Sequence, residues 1–172
     1  MNKMSMVTVA TIAVGLCGVP GLAHAQRLDE ERAAWQEAEV RLPDTVNLDR
    51  VVTFELTRPA AMVYGIDPGT LQIDGDGVVR YAFVARSASG ALNVLYEGLR
   101  CQTAEVKLYA HWRKDTGWTP VPNAEWQELS FRGTTRRAMQ MAKAGICANR
   151  SPNGPPRKML DTLRNGSADQ LR

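Results

Sequence analysis

The stretch 78–112 alternates between apolar and polar side chains, and this pattern limits the fold more than any other feature of the chain. It divides into three segments: Val78–Arg86, Ala91–Arg100 and Glu105–Trp112. A period of two is typical of strands that bury one face of a sheet. The connections between the segments, 87–90 and 101–104, are only four residues long. The sequence therefore predicts an antiparallel meander that is buried on one side.

The alternation assigns the side chains of this meander to two faces. The predicted apolar face consists of Val79, Tyr81, Phe83, Ala85, Leu92, Val94, Tyr96, Val106, Leu108, Ala110 and Trp112. The predicted polar face consists of Arg80, Asn93, Glu97, Glu105, Lys107, Tyr109 and His111. Such a mixture usually reflects solvation and cross-strand pairing, but it is also the best place for a ligand groove. The candidate ligand face consists of Arg80, Asn93, Glu97, Tyr109 and His111.

The segment Ile73–Val84, IDGDGVVRYAFV, suggests either a calcium loop or a tight turn. An EF-hand loop needs oxygen ligands at positions 1, 3 and 5, glycine at 6 and glutamate at 12. Neither placement of Asp74 and Asp76 in that pattern completes the ligand set. Asp-Gly pairs beside a β-branched run are a strong hairpin signal, because glycine adopts positive φ without strain. The sequence predicts a hairpin here, and it predicts neither a metal site nor a cofactor.

The rest of the chain adds further strands and two helices to the meander. Strands are predicted over Val51–Leu56 and Met62–Ile66, a loop or edge strand over Trp118–Trp126, and helices over Gln26–Leu42 and Thr134–Ile146. The apolar stripe of the second helix is Met139, Ala142 and Ile146. The predicted fold class is α+β, an antiparallel sheet meander with an N-terminal and a C-terminal helix. The predicted domains are a helix and lead-in over 26–50, an α+β domain over 51–147 and a flexible tail over 148–172.

The first 25 residues have the features of a secretory signal peptide. Lys3 precedes an apolar core over Val7–Val19, and Ala23-His24-Ala25 is a small-x-small cleavage pattern. Cleavage is therefore expected between Ala25 and Gln26, which predicts an exported, periplasmic protein. The alternative is an uncleaved signal that tethers the protein to the membrane, although this core is shorter than the roughly 20 residues of a spanning helix.

Export changes the meaning of the cysteines. Cys17 is expected to leave with the signal peptide, so Cys101 and Cys147 remain in an oxidising compartment. The sequence predicts a disulfide between them, which would pin the second helix onto the sheet. It would stabilise the fold by roughly 4 kcal/mol in the chain-entropy model. A pair of buried free thiols is the alternative.

Few residues suggest catalysis. His111 is the only histidine after the signal peptide, and no nucleophile elbow, zinc motif or phosphate-binding loop accompanies it. Glu97 has no second carboxylate at a spacing that would force the two together. The sequence therefore favours a non-catalytic binding or envelope-accessory module. The alternative is a small periplasmic hydrolase that uses Glu97 and His111.

The segment 131–158 is strongly basic. It contains no acidic residue, and its cations are Arg132, Arg136, Arg137, Lys143, Arg150, Arg157 and Lys158. Such a segment can bind an anionic surface, although it is more often only a solvated helix and tail. In an exported protein, the partner expected for Arg132–Lys158 is an anionic envelope component, and nucleic acid is not expected.

Several motifs resemble one known family. They are DGVVRY at 76–81, NV at 93–94 with YEG at 96–98, and RC at 100–101, followed by Cys147 after a helix. From about Val51 to Cys147 the chain resembles the cryptic neisserial protein-like family of small exported proteins of Gram-negative bacteria. The resemblance implies export and an uncharacterised domain, and it supplies no catalytic residues.

Overall fold

A computed structural model describes residues 34–56 and 62–166, and its centre is one antiparallel sheet. The strands are β1 Val52–Phe54, β2 Met62–Ile66, β3 Gln72–Ile73, β4 Val79–Ser87, β5 Leu92–Arg100, β6 Glu105–Arg113, β7 Gly117–Pro120 and β8 Gln127–Glu128. Their order is β1-β2-β4-β5-β6-β7, with β3 paired to β4 and β8 paired to β6. The predicted meander is confirmed as β4, β5 and β6. The predicted signal peptide and its cleavage site between Ala25 and Gln26 lie outside the described residues.

The predicted hairpin is confirmed between β3 and β4. Ile73 pairs with Val79, and the backbone N–H of Gly77 donates to the carbonyl of Asp74 at 2.9 Å. Gly77 has a φ of +77°, a conformation that favours glycine. The Asp-Gly pattern therefore forms the turn for the reason that the sequence suggested.

The sheet is buried on both sides, so the prediction of one apolar and one polar face is wrong. Residues directly opposite in an antiparallel pair share a face. Tyr81 pairs with Glu97 and Ala82 pairs with Tyr96, so Tyr81 and Tyr96 lie on opposite faces. A β-bulge at Tyr96 and Glu97, opposite Tyr109, shifts the register on β6. It places Leu108 on one face and Ala110 on the other.

A non-helical segment covers one of the two faces. Trp35–Leu48, here called the strap, contains none of the helix predicted over Gln26–Leu42; residues 26–33 of that prediction lie outside the described residues. Val46 of the strap is buried with sheet residues that define the strap face: Ala82, Val84, Val94, Tyr96, Tyr109 and Ala110. Long-range contacts, described below, hold the strap in this non-helical form.

Two helices cover the opposite face, here called the helix face. Helix α1, Arg136–Met141, continues into a π-helical turn, Ala142–Ile146, and α2 spans Pro156–Asn165. They pack on Val79, Tyr81, Phe83, Ala85, Leu95 and Leu99. Met141 is fully buried, whereas Met139 of the predicted stripe is only partly buried. The predicted helix is confirmed in position, and Ala142 and Ile146 of its predicted stripe are buried, but Met141 takes the place of Met139 in the core.

Instead of a flexible tail, residues 148–166 form ordered structure, and residues 167–172 of that prediction lie outside the described residues. A small hairpin joins β9, Cys147–Ala148, to β10, Ser151–Pro152, and α2 follows it. Met159 and Leu163 of α2 are fully buried in the helix-face core. A β-carbon at Gly145 would lie 3.0 Å from the backbone nitrogen of Leu163, so glycine lets α2 pack closely against the π-helical turn.

The predicted disulfide between Cys101 and Cys147 is confirmed. Their Cα atoms lie 5.7 Å apart. The bond joins the residue after β5 to the residue after the π-helical turn. It therefore ties the helix layer covalently to the sheet. Within the described ranges, no helix has both the length and the apolar character needed to cross a membrane.

Candidate functional site

The structure divides the predicted ligand face between the two sides of the sheet. Arg80 and Tyr109 lie on the strap face, since Arg80 pairs with Gly98 and Tyr109 packs beside Tyr96. Glu97, Asn93 and His111 lie on the helix face, opposite Tyr81, Ala85 and Leu95 respectively. The five residues therefore do not form one site. The expected single polar face fails because both faces are buried and the bulge shifts β6.

Arg80 is the centre of a polar cluster on the strap face. Its side chain has no solvent exposure, and its Nη1 donates to Asp74 Oδ2 at 2.6 Å. The two Nη atoms also donate to both oxygens of Asp76, at 3.1 and 2.7 Å. The hairpin thus supplies both carboxylates that neutralise this buried cation, which a buried charge requires. Asp74 and Asp76 therefore have a structural role beside Arg80.

Asp76 also attaches the strap to the hairpin. Its Oδ2 accepts from the backbone N–H of Ala38 at 2.9 Å, and its main-chain carbonyl accepts from the indole of Trp35 at 3.0 Å. Burial alone would raise the pKa of Asp76, but hydrogen bonds from Arg80, Ala38 and Val78 outweigh it and hold that pKa below its usual value. Asp76 is therefore ionised in the folded protein near neutral pH.

Glu37 of the strap is the third carboxylate of this cluster, after Asp74 and Asp76. Its carboxylate accepts from Lys107 Nζ at 2.8 Å, from the Tyr109 hydroxyl at 2.6 Å and from the Trp126 indole at 3.3 Å. Burial opposes the charge, but the hydrogen bonds from Lys107 and Tyr109 lower the pKa of Glu37. Burial and the bond to Glu37 both raise the pKa of Tyr109, so it stays protonated as a donor.

A smaller ion pair lies on the helix face. Arg137 of α1 donates from both Nη atoms to the two oxygens of Glu97, with the Nη1 contact at 2.8 Å. The guanidinium lies 4.0 Å from the ring centroid of Phe83. Burial alone would lower the pKa of Arg137, but the charge of Glu97 outweighs it and raises that pKa. The side chain of Glu97 is only 4% exposed and that of Arg137 is 22% exposed, so solvent reaches the pair through Arg137.

The opening to this pair is a cleft of about 450 Å³, here called the helix-face cleft. It lies between α1, strands β5 and β6, and the connection from β7 to β8. Its wall is formed by Leu95, Val106, Leu108, Val121, Glu97 and Arg137. The cleft therefore combines apolar side chains and one fixed ion pair with further polar residues, which are Asn123, Glu125, Gln127, Thr134 and Thr135. It is the candidate functional site.

The arrangement at this cleft places a fixed ion pair beside apolar side chains. Both oxygens of Glu97 already accept hydrogen bonds from Arg137. His111 is exposed and is not part of the cleft wall. Among residues 34–56 and 62–166, no three side chains of the His, Cys, Asp and Glu types are grouped to hold a metal ion. The pair can offer a ligand the free N–H groups of a guanidinium beside apolar walls.

Sequence reasoning identified Glu97 and missed its partner. Arg137 is one of seven cations in the basic segment, and nothing in the sequence distinguishes it from Arg136. The other six cations, Arg132, Arg136, Lys143, Arg150, Arg157 and Lys158, are exposed. The sequence did indicate the partners of Arg80, because a hairpin at Asp74–Gly77 places Asp74 and Asp76 beside it. Glu37 acts across 70 residues, so no local pattern could find it.

Fold and site together define a small α+β domain, with one sheet between a hydrogen-bonded strap and a disulfide-tied helix layer. The model of the CNP1-like family matches residues 30–164. This is the cryptic neisserial protein-like family that the sequence motifs resemble. The chain therefore belongs to the CNP1-like family. The match includes the strap and α2, beyond the range of the sequence resemblance. No curated protein and no solved structure matches the chain.

Proposed function

We propose that this protein is an exported, non-catalytic binding module that takes an amphiphilic ligand into the helix-face cleft. One observation carries the proposal: the Glu97–Arg137 ion pair lies beside the apolar side chains Leu95, Val106, Leu108 and Val121 in the wall of a cleft of about 450 Å³. Ligand sites in proteins are commonly clefts of a few hundred Å³, roughly 300 to 1,000, with apolar walls and a few fixed polar groups. The apolar walls would take the body of the ligand, and Arg137 would orient an acceptor group.

The bonding of Glu97 supports binding over catalysis. A general base needs a free lone pair that is directed at the substrate proton. Each oxygen of Glu97 keeps a lone pair, but proton uptake would break its buried ion pair with Arg137 and leave that charge uncompensated. The alternative of a hydrolase that uses Glu97 and His111 therefore has less support than a binding role.

The signal-peptide pattern supports a periplasmic location for this binding role. The basic segment supplies a second element of the proposal. Exposed cations lie at Arg136 of α1 and Lys143 of the π-helical turn, and Phe131 before them is also exposed. Such a surface would attract an anionic envelope component. We therefore expect the ligand of the cleft to come from the cell envelope.

The experiment is native mass spectrometry of the purified protein after incubation with the small-molecule fraction of a cell-envelope extract. A tryptophan at the exposed rim position, Thr134→Trp, should fill the mouth of the cleft without touching the ion pair. Thr116→Trp, at an exposed threonine outside the cleft, is the matched control. The wild type and Thr116→Trp should retain the same ligand mass, and Thr134→Trp should lose it.

A panel of hydrolase substrates separates the two functional classes. We expect no turnover above that of heat-denatured protein. Turnover that Glu97→Gln abolishes would replace the binding proposal with the enzyme alternative. Failure of the wild type to retain any ligand, or equal retention by Thr134→Trp, would reject the cleft as the site.

A further inference from the structure

A second recess lies on the opposite side of the sheet, where the strap crosses the hairpin. Its volume is about 560 Å³. The strap contributes Glu39 and Asp44 to its wall, and the hairpin contributes Gln72 and Asp74. Tyr96, from the middle of β5, lines the inner part of the recess. This recess shares no lining residue with the helix-face cleft.

Tyr96 is the unusual residue of this recess. It is only 1% exposed, yet its hydroxyl has no hydrogen-bond partner within the part of the chain that the structure describes. Its ring is held by Tyr109 and Trp118, at centroid distances of 5.9 and 5.7 Å. Burial and the nearby charge of Asp74 raise the pKa of Tyr96, so the hydroxyl remains a donor and acceptor beside that carboxylate. The fully buried polar atoms without a partner belong to other described residues, so the Tyr96 hydroxyl borders the open recess, where a ligand can supply its partner.

The charges of the recess indicate which ligand would fit. Three carboxylates line it, from Glu39, Asp44 and Asp74, against one guanidinium, that of Arg41. The Arg41 and Glu39 side chains are both exposed at the rim, 87% and 83%, and lie 4.0 Å apart, so Arg41 offsets Glu39 and leaves Asp44 and Asp74 as the excess carboxylates. Asp74 is shared with Arg80 but keeps 30% exposure. The recess therefore has an excess of acceptors, which attracts a positively charged donor.

The spacing of the carboxylates favours an organic cation over a metal ion. A metal needs several ligands within about 2 to 2.6 Å of one point. No described group of three or more carboxylate, imidazole or thiolate side chains meets that need. A flexible amine can instead reach separated acceptors with separate N–H groups, and one of its polar groups can pair with the Tyr96 hydroxyl.

We propose that the recess under the strap binds a small organic cation with more than one amino group, oriented by Tyr96 and attracted by Glu39, Asp44 and Asp74. This site is independent of the helix-face cleft and of the function proposed for it.

Titration with putrescine, followed by calorimetry and amide chemical shifts, tests the proposal. Butane-1,4-diol is the neutral probe of the same length, and magnesium chloride tests for a metal site. Putrescine should bind, with shifts at the strap and hairpin, and its affinity should fall with added salt. The diol and magnesium should produce no saturable response. Saturable binding of the diol at equal affinity, binding of magnesium in its place, or no binding of putrescine would each overturn the proposal.

Two variants locate the site. Tyr96→Phe removes only the hydroxyl and keeps the ring packing, and it should weaken putrescine binding about 3- to 10-fold, as expected for one hydrogen bond. The double variant Glu39→Gln/Asp44→Asn changes two exposed positions and should weaken binding further. Asp115→Asn, at an exposed aspartate outside the recess, should have no effect. If Tyr96→Phe fails to fold, the test rests on the double variant. Unchanged putrescine affinity in the double variant would reject the recess as the site.

Discussion

The two faces of the sheet are covered by different kinds of interaction. The strap face has a cluster of charged and polar groups in which Arg80, Asp76 and Glu37 fix the strap through directional bonds. The helix face has a larger apolar core, one ion pair and the Cys101–Cys147 disulfide. Both layers consist of short segments that would be marginal alone. Directional polar bonds therefore hold the strap, whereas apolar packing and a disulfide hold the helix layer.

The strap and the helix layer should therefore respond to different perturbations. Charge-assisted hydrogen bonds depend on protonation and on every partner being present. A disulfide and apolar burial are insensitive to mild acid but depend on redox state and on packing. All four tryptophans, residues 35, 112, 118 and 126, belong to the strap side, so tryptophan fluorescence reports that layer. Hydrogen exchange in α1 and α2 reports the other.

The largest effect is expected from Arg80→Met. Asp76, whose side chain is 2% exposed, would lose its cation while it remains buried. Removal of one partner from a buried ion pair costs about 3 to 5 kcal/mol, so the free energy of unfolding should fall by that amount. Denaturant unfolding followed by tryptophan fluorescence measures it. Arg86→Met, an exposed arginine on the same face of β4, is the control and should change stability little. Equal losses in both variants would contradict the role of the cluster.

The next effect tests the helix face. Cys101→Ser/Cys147→Ser, or reduction of the disulfide, should cost about 2 to 4 kcal/mol. Hydrogen exchange should rise first in α1 and α2, because the meander keeps its ladder and the strap keeps its ionic contacts. Tryptophan fluorescence should be almost unchanged under native conditions. The prediction fails if the thiols of the native protein titrate as free, or if exchange rises uniformly along the chain.

The sequence predicted the features that depend on neighbours in the chain. Period-two alternation located β4, β5 and β6, and the Asp-Gly pairs located the β3–β4 hairpin. It could not assign faces, because both faces are buried and apolar positions alone do not show which face of β4 continues on β5. In the regular β4–β5 register Glu97 pairs with Tyr81 and Arg80 pairs with Gly98, which separates Arg80 from Glu97. The bulge at Tyr96 and Glu97 in addition changes the phase of β6, and no residue in the sequence marks it.

The remaining errors come from contacts between distant segments. Residues 35–42 of the helix predicted over Gln26–Leu42 have good local propensity but are not helical, because Trp35 and Glu37 bond to residues 41 to 89 positions away; residues 26–33 lie outside the described residues. Tertiary contacts of this kind override propensity. In the polar C-terminal segment, Met159 and Leu163 form a stripe of only two positions, too short to predict a packed helix from pattern alone.

A fall in pH should affect the strap face first. The pKa values of Glu37 and Asp76 are lowered in the folded protein, so these groups stabilise the fold above their unfolded pKa values, near 4. That stabilisation is lost as the pH falls from about 4 through the folded values. Unfolding experiments at pH 7 and pH 3 should show a loss smaller than that caused by Arg80→Met. Asp76→Asn should reduce this pH dependence. If α1 and α2 lose their hydrogen-exchange protection at a higher pH than that at which the tryptophan fluorescence changes, this order is wrong.

The smallest effect is expected from a matched pair of tyrosines, one on each face. The Tyr109 hydroxyl donates to Glu37 at 2.6 Å, so Tyr109→Phe removes a charge-assisted hydrogen bond and should cost about 1 to 2 kcal/mol. The Tyr81 hydroxyl is fully buried beside the Glu97–Arg137 pair; burial and the charge of Glu97 raise its pKa, but no described group lies in hydrogen-bonding geometry with it. Tyr81→Phe removes a desolvated polar group without breaking a bond, so the free energy of unfolding should stay the same or rise slightly.

Denaturant unfolding of both variants measures the difference, and each substitution removes the same single oxygen atom. The comparison therefore separates the effect of the hydroxyl's hydrogen-bond partner on stability from the effect of side-chain size. Equal losses in the two variants would mean that the strap is not held by the Glu37 carboxylate. In that case, burial of Val46 and its apolar neighbours would be the main attachment of the strap, as it is for the helices on the opposite face.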